Sequence, residues 1–319
     1  MALVTTQSGL RILVPVGDVL LLLAPVTAAC AVAGWRAGGR LPLAVLWTAF
    51  AAWVVWRSSG ATGVQTDLMR GWAVLLAVAF GAFAGARLVE GFLPNALLAF
   101  VAASLVGSAA LFALPGGPAG AVELVTEEVG QRAMQATRDW QDLTGSPEWI
   151  DLVRRSPVWG TYSESMTVQL AKLPAIALRL YPSLFALQSL SVMALGWAVY
   201  HRVGRARLGP PLADLRELRF NDAFVWGVVA GLVLVALPLS GAARDAGANL
   251  LLFFGVLYAL RGLGVLIWFL SPGRAMTVLL VLFAVLFWPV VVTVSAGLGL
   301  GDTWFDWRRV SRHRSQRSE

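Results

Sequence analysis

Residues 246–270 read AGANLLLFFGVLYALRGLGVLIWFL, and this stretch decides the fold class because it holds a single charged side chain, Arg261. An α-helix rises about 1.5 Å per residue, so about 20 apolar residues cross the hydrocarbon core of a bilayer. Seven other stretches have the same apolar character. The eight predicted membrane segments are residues 12–35, 41–56, 71–92, 95–114, 173–203, 222–239, 246–270 and 275–298.

The composition of the whole chain leads to the same interpretation. Hydrophobic residues make up 58% of the 319 residues and charged residues only 13%. A soluble protein of this length needs far more polar surface to cover its core. The sequence therefore predicts an all-α, polytopic transmembrane helix bundle of about eight segments, with the lipid bilayer as its first partner. We expect a multi-pass protein of the bacterial cytoplasmic (inner) membrane.

The organisation predicted along the chain is one integral-membrane domain with four parts. Residues 12–114 hold four N-terminal segments, residues 115–172 form a cap, residues 173–307 hold four C-terminal segments, and residues 308–319 are a basic tail. The net charge of +7 fits loops that meet anionic lipid. Nucleic acid is not expected as a partner, because no folded basic domain is available to present a charged patch.

The cap is predicted to contain an amphipathic helix followed by a shorter one. Ser146 is placed to cap the shorter helix, with Pro147 as its first residue. We expect both helices to lie on the bundle at the membrane interface, with a gating lid or a partner-docking element as the alternative. The apolar face of the first helix recurs at steps of three to four residues, at Val125, Val129, Ala133, Ala136, Trp140 and Leu143.

The positive charges conflict over topology. The arginine-rich loop 200–219 and the tail should both be cytoplasmic by the positive-inside rule. Three predicted segments separate them, and three crossings cannot return the chain to one side. Either one segment is re-entrant or broken, or the tail violates the rule. Residues 246–270 are the least secure crossing, because Arg261 and two glycines lie near their middle.

Arg261 is also the strongest candidate for a functional residue. A lone charge inside a bilayer costs several kcal/mol, so Arg261 should face the bundle interior with a carboxylate partner, and Asp18 and Glu90 are the candidates. An ion pair that only stabilises the fold is the alternative. The predicted ligand-binding or relay residues are Arg261, Asn249, Asp18 and Gln188. Gln188 also fits a simple hydrogen bond between helices.

Small residues at GxxxG spacing mark two helix faces, at Gly81 and Gly85 and at Gly227 and Gly231. Such faces let helix backbones approach closely in lipid. They predict packing within the bundle or docking of another membrane subunit.

Sequence signatures of enzymes are missing. The chain has no zinc-protease, serine-hydrolase, P-loop or dinucleotide-binding motif, so we expect no enzyme and no cofactor. Cys30 lies in an apolar stretch, and the two histidines, His201 and His313, lie among arginines. No metal site is expected from these residues.

The C-terminal third resembles a known family. It reads FNDAFVWG at 220–227, NLL at 249–251, LYALRG at 257–262 and GLGDTWFDWRR at 299–309. This order resembles the YybS-like bacterial membrane proteins, a family of unknown function. Arg261 stands where the family pattern has glutamine, and Trp307 where it has phenylalanine. If that position contacts a ligand, the resemblance implies an anionic one here.

The YybS-like family is in turn remotely similar, in hydropathy and helix order, to the substrate-binding membrane subunits of energy-coupling-factor transporters. Such subunits lack their own ATPase. The resemblance therefore implies a solute-binding or transport subunit without its own ATPase. The alternative is a non-transport membrane scaffold for cell-envelope or division machinery, acting through the cap and the basic tail.

The end of the chain predicts a membrane-interface anchor, because aromatic rings and arginines prefer the headgroup level. Its residues are Trp304, Phe305, Trp307, Arg308 and Arg309. A docking motif is the alternative.

Overall fold

Helices account for nearly all the structured chain. A computed structural model describes residues 12–58, 64–87, 89–113, 116–305 and 307, and within these ranges no strand forms. The helices are α1 (Val19–Arg36), α2 (Leu41–Arg57), α3 (Val64–Ala86), α4 (Phe92–Phe112), α5 (Gly117–Thr144), α6 (Pro147–Arg155), α7 (Val158–Val203), α8 (Val225–Ala236), α9 (Gly241–Leu270), α10 (Arg274–Leu286) and α11 (Trp288–Phe305).

The chain divides into two compact units, where the sequence predicts one domain. The first unit is Met1–Pro211 and contains α1 to α7, and the second is Leu212–Glu319 and contains α8 to α11. The boundary falls in the loop that contains Pro210 and Pro211, where the fixed φ of proline and its missing N–H disfavour helix.

Each predicted membrane segment overlaps a helix, but the count of about eight crossings is not confirmed. In the described ranges, five helices are long and apolar enough to cross a membrane, or six if α10 and α11 form one span. The second and sixth predicted segments form shorter apolar helices, Leu41–Arg57 and Asp222–Ala236. The five long helices are Val19–Arg36, Thr66–Ala86, Phe92–Phe112, Val158–Val203 and Gly241–Leu270.

Residues 246–270, the least secure of the predicted crossings, are not broken. They lie in α9, a continuous helix of 30 residues. The break lies instead in the predicted segment 275–298, where α10 and α11 meet at 107°. Pro289 explains its position, because proline has no N–H to donate and its ring disfavours helix in the residue before it.

In the first unit, α1 is the central helix and packs against α2, α3 and α7. Gly81 and Gly85 of α3 lie against Ala29 and Ala33 of α1. A Cβ at Gly81 would lie 3.0 Å from the Cβ of Ala29. This predicted small-residue face therefore packs within the chain, and its register shows that α1 and α3 run parallel.

The cap of the first unit has its own apolar core. Val129, Ala136 and Trp140 of α5 are buried there with Trp149 of α6 and residues of α7. The N-cap prediction for α6 is confirmed, since the Ser146 hydroxyl accepts a hydrogen bond from the Trp149 amide. Apolar residues at helical spacing thus place α5 and α6 against α7.

Helix α7 has 46 residues and begins at Val158, well before the predicted start at residue 173. At 1.5 Å per residue it is about 69 Å long, more than twice the thickness of a hydrocarbon core. One helix therefore runs from the cap into the apolar bundle of the first unit.

In the second unit, α8 and α11 both run antiparallel to α9. Gly227 and Gly231 of α8 lie against Phe254 and Leu251 of α9, so this small-residue face also packs within the chain. The stretch before α8, residues 212–221, is mostly non-helical. It packs along the C-terminal third of α9. Its Arg216 donates a hydrogen bond to the Ser271 hydroxyl at 2.9 Å.

Candidate functional site

Arg261 lies at the centre of a charged cluster inside the second unit. Only 4% of the residue is exposed. Its Nε donates to Oδ2 of Asp302 at 3.0 Å, and its Nη2 donates to the backbone carbonyl of Asp302 at 3.2 Å. Its Nη1 donates to Oδ1 of Asp222 at 3.0 Å. Arg261 therefore links α9 to α11 and to the turn before α8.

The two carboxylates differ sharply in their surroundings. The Asp302 side chain is fully buried, whereas 64% of the Asp222 side chain is exposed. Asp222 stands at the start of a 3-10 turn that the Asn221 side chain caps by accepting the Ala223 amide. The cluster thus has one buried end and one open end, with Arg261 between them.

An aromatic ring completes the surroundings of Arg261. The guanidinium carbon lies 5.4 Å from the centroid of the Phe220 ring, a cation–π distance. The Phe220 ring also packs edge-on against Tyr258 of α9. The motif Phe220–Asn221–Asp222 therefore supplies a ring, a cap and a carboxylate to one site.

Two glycines allow α9 and α11 to come close enough for these bonds. A Cβ on Gly262 would lie 1.7 Å from the Ser295 carbonyl oxygen, and one on Gly299 would lie 2.0 Å from the Tyr258 carbonyl oxygen. The two backbones are therefore in direct contact beside the cluster, since Gly262 directly follows Arg261 and Gly299 lies about one turn before Asp302. Any side chain at either glycine would separate the helices.

The charges of the cluster change the expectation for its ligand. The family resemblance implied an anionic ligand if the position of Arg261 contacts one, but two carboxylates already surround Arg261. With all three groups ionised, the cluster has a net charge of −1. Arg261 is therefore not a free cation, and the open end of the site presents the carboxylate of Asp222.

Arg261 is buried and paired with carboxylates, as expected, but its partners are not the predicted ones. Asp222 and Asp302, rather than Asp18 or Glu90, supply its carboxylates. Asp18 caps α1 by accepting a hydrogen bond from the Leu20 amide.

The two predicted amides also have structural roles. Gln188 accepts from the Val16 amide at 2.8 Å and donates to the Val16 carbonyl at 2.7 Å, so it fixes the chain before α1. Asn249 donates to the Asp245 carbonyl one turn earlier in α9. It lies twelve residues from Arg261, or about 18 Å along the helix, and so outside the cluster.

The predicted anchor is described only in part. Trp304 and Phe305 are exposed, and the Phe305 ring stacks on Trp307 with a centroid distance of 5.8 Å. Exposed aromatic rings fit a headgroup position. Arg308 and Arg309 lie outside the described residues.

Sequence reasoning missed Asp222 and Asp302 as site residues. Both lie within the quoted motifs, Asp222 in FNDAFVWG and Asp302 in GLGDTWFDWRR. In the part of the chain that the structure describes, no group of three or more His, Cys, Asp or Glu side chains could hold a metal ion.

Comparison with known proteins agrees with a membrane location. Residues 147–303 match the family described as predicted membrane protein (DUF2232). The match contains Arg261, Asp222 and Asp302. No curated protein and no solved structure matches the chain. The apolar helices and this match make the protein an integral membrane protein that, over residues 147–303, is similar to an uncharacterised family.

Proposed function

We propose that this protein is a membrane-embedded solute-binding or transport subunit without its own ATPase, and that Arg261, Asp222 and Asp302 form its polar centre. The observation that carries the proposal is the burial of Arg261 and Asp302 within an apolar helix unit. Ionisable groups are costly inside a membrane, and those that occur there most often belong to ion, proton or substrate paths.

The interrupted backbone beside the cluster supports the same proposal. Residues 212–221 are mostly non-helical, and the short helix α8 begins only after Asp222. Non-helical backbone at membrane depth is tolerated where protein buries it or where it lines a water-filled cavity. Binding sites of many transporters combine such interrupted helices with charged groups.

The chemistry of the site favours a cationic solute. Asp222 is the exposed member of the cluster, and the three groups together are negative by one charge when ionised. A positively charged amine could bind the open Asp222 carboxylate while Arg261 stays with Asp302. An anion would have to displace carboxylates from Arg261 first.

The test is native mass spectrometry on the full chain, extracted gently from its own membrane. Three proteins are compared: the wild type, Asp222→Asn and the control Asp214→Asn. Asp214 is exposed, lies on the same non-helical stretch, and is not one of the carboxylates that pair with Arg261. Because Asp222 is mostly exposed, its loss should leave the fold intact, which thermal unfolding can check.

We expect a small cationic molecule, with or without an associated ATPase, on the wild type and on Asp214→Asn, and at least tenfold lower occupancy on Asp222→Asn. Equal occupancy in all three proteins would place the solute elsewhere. Absence of any small molecule from the wild type, together with a stoichiometric non-ATPase protein, would refute the transport proposal.

The cap favours a second function, that of a membrane scaffold. The outer face of α5 presents exposed acidic side chains, including Glu123 and Glu127, while its apolar face is buried in the cap core. Deleting the cap would expose that core, so charge reversal is the sharper test. If the cap docks a partner, Glu123→Lys with Glu127→Lys should release a protein that remains bound to the wild type and to Asp214→Asn.

A further inference from the structure

An apolar groove runs along the first unit between α1, α2 and α3. Its volume is about 1180 Å³. The floor consists of small residues of α1 and α3, including Ala29, Ala33, Ala82 and Gly85, and Ala52 of α2 forms part of one wall. The space remains because these side chains are too small to bring α2 and α3 together along their length.

The groove is about as long as a bilayer core is thick. Ala29 and Ala33 of α1 lie level with Gly81 and Gly85 of α3. The same register puts Arg70, near the start of α3, about 18 residues below the level of Arg36, at the end of α1. At 1.5 Å per residue the two arginines are about 27 Å apart along the helix axes. The hydrocarbon core measures about 30 Å.

The two ends of the groove differ in charge. Arg70 is fully engaged: its guanidinium pairs with Asp67 at 2.6 Å and donates to the hydroxyl and carbonyl of Ser58. Arg36 is exposed, and no carboxylate in the described ranges pairs with it. Among the described residues, one end therefore presents a cation without a carboxylate partner, and the other end does not.

We propose that this groove is a binding site for an anionic phospholipid, whose phosphate binds Arg36 and whose acyl chains fill the adjoining half of the groove. Acyl chains match the apolar walls, and the phosphate supplies the negative charge that Arg36 lacks. A helix from another subunit could fill the same space, but it would leave Arg36 uncompensated unless it also carried an acid at that level. The site belongs to the first unit and is independent of the proposed function.

The first test measures thermal unfolding of the purified full chain in detergent, with added phosphatidylglycerol or phosphatidylcholine at equal concentration. Arg36→Gln is compared with Arg40→Gln, because Arg40 is a nearby exposed arginine that does not line the groove. We expect phosphatidylglycerol to raise the melting temperature of the wild type and Arg40→Gln by several degrees more than phosphatidylcholine. In Arg36→Gln that difference should fall by at least half. An equal difference in all three proteins would overturn the role of Arg36.

The second test locates the lipid with a phosphatidylglycerol that carries a photoreactive group in its acyl chain. Crosslinks should concentrate on the groove around Ala82, and Ala82→Phe should reduce them several-fold. Ala109→Phe is the control, since Ala109 is an exposed alanine of α4 outside the groove. Even labelling of all lipid-facing helices would mean ordinary boundary lipid only. Crosslinking to a stoichiometric protein partner at Ala82 would assign the groove to a helix. Either result would overturn the proposal.

Discussion

At the residue scale, the burial of Asp302 makes the two carboxylates bound to Arg261 unequal. Removing Arg261 would take the paired cation away from a fully buried carboxylate, whereas removing Asp222 would take away a group that is mostly exposed. Breaking a buried pair from one side typically costs about 3–5 kcal/mol, and an exposed pair contributes about 0–1 kcal/mol.

We therefore expect Arg261→Met to destabilise the protein by about 3–5 kcal/mol. Asp222→Asn should change stability by less than about 1 kcal/mol. The double variant Arg261→Met with Asp302→Asn should recover a large part of the loss, because it removes the buried negative charge together with the cation that balances it. Thermal or denaturant unfolding in detergent measures all of these changes. If the double variant is no more stable than Arg261→Met, the carboxylate of Asp302 is not the source of the cost.

The sequence predicted the burial of Arg261 but not its partners, and the reason is distance along the chain. Asp222 and Asp302 lie 39 and 41 residues from Arg261. Their approach depends on the antiparallel register of α9 and α11 and on a non-helical stretch before α8. Neither follows from hydropathy. The burial of Arg261 did, because the residue interrupts an otherwise apolar segment.

At the element scale, the contact between α9 and α11 depends on the absence of side chains. We expect Gly262→Ala to force the helices apart, because its Cβ would lie 1.7 Å from the Ser295 carbonyl oxygen. Overpacking of this kind typically costs about 1–3 kcal/mol. The hydrogen bonds of Arg261 to Asp302 would lengthen as well.

Gly255→Ala is the matched control on the same helix, since a Cβ there meets no atom within 4 Å. It should be neutral or stabilising by up to about 1 kcal/mol, because alanine has the higher helix propensity. Unfolding measurements on both variants separate the effect of the close helix contact on stability from the effect of helix propensity. Equal effects would show that the contact contributes little.

The helices themselves were largely predictable, because apolar length and 3.6-residue periodicity determine them. Val129, Ala136 and Trp140 lie on the predicted face of α5 and are buried. The break at Phe287 had a local signal in Pro289. The continuation of α7 across residue 173 had no such signal, since the polar stretch before it, residues 158–172, resembles a loop by hydropathy.

At the scale of the whole molecule, the bent pair α10–α11 bears on which side of the membrane the tail occupies. Helix α11 runs antiparallel to α9, with Gly262 against Ser295 and Gly299 against Tyr258, so it starts level with the end of α9 and finishes about 26 Å nearer its start. The pair therefore makes one net crossing after α8 and α9. We expect the tail on the side opposite to the basic loop, against the positive-inside rule.

Single cysteines in a Cys30→Ala background test this topology in intact cells. Ala213→Cys should resist an impermeant maleimide until the membrane is permeabilised, whereas Ala242→Cys and Ser318→Cys should react at once. A Ser318→Cys that resists in the same way as Ala213→Cys would contradict the expectation, because it would place the tail on the side of the basic loop.

The length of α7 has a mechanical consequence. This helix is about 69 Å long, so tilting it by 5° about one end moves the other end by about 6 Å. Pro174 and Pro182 lie between its two halves, and proline is where long helices most often bend. The helix can therefore act as a lever arm with a hinge near its middle. A movement of the cap would either be transmitted through that hinge to the apolar end of the same helix or be taken up as bending at the hinge.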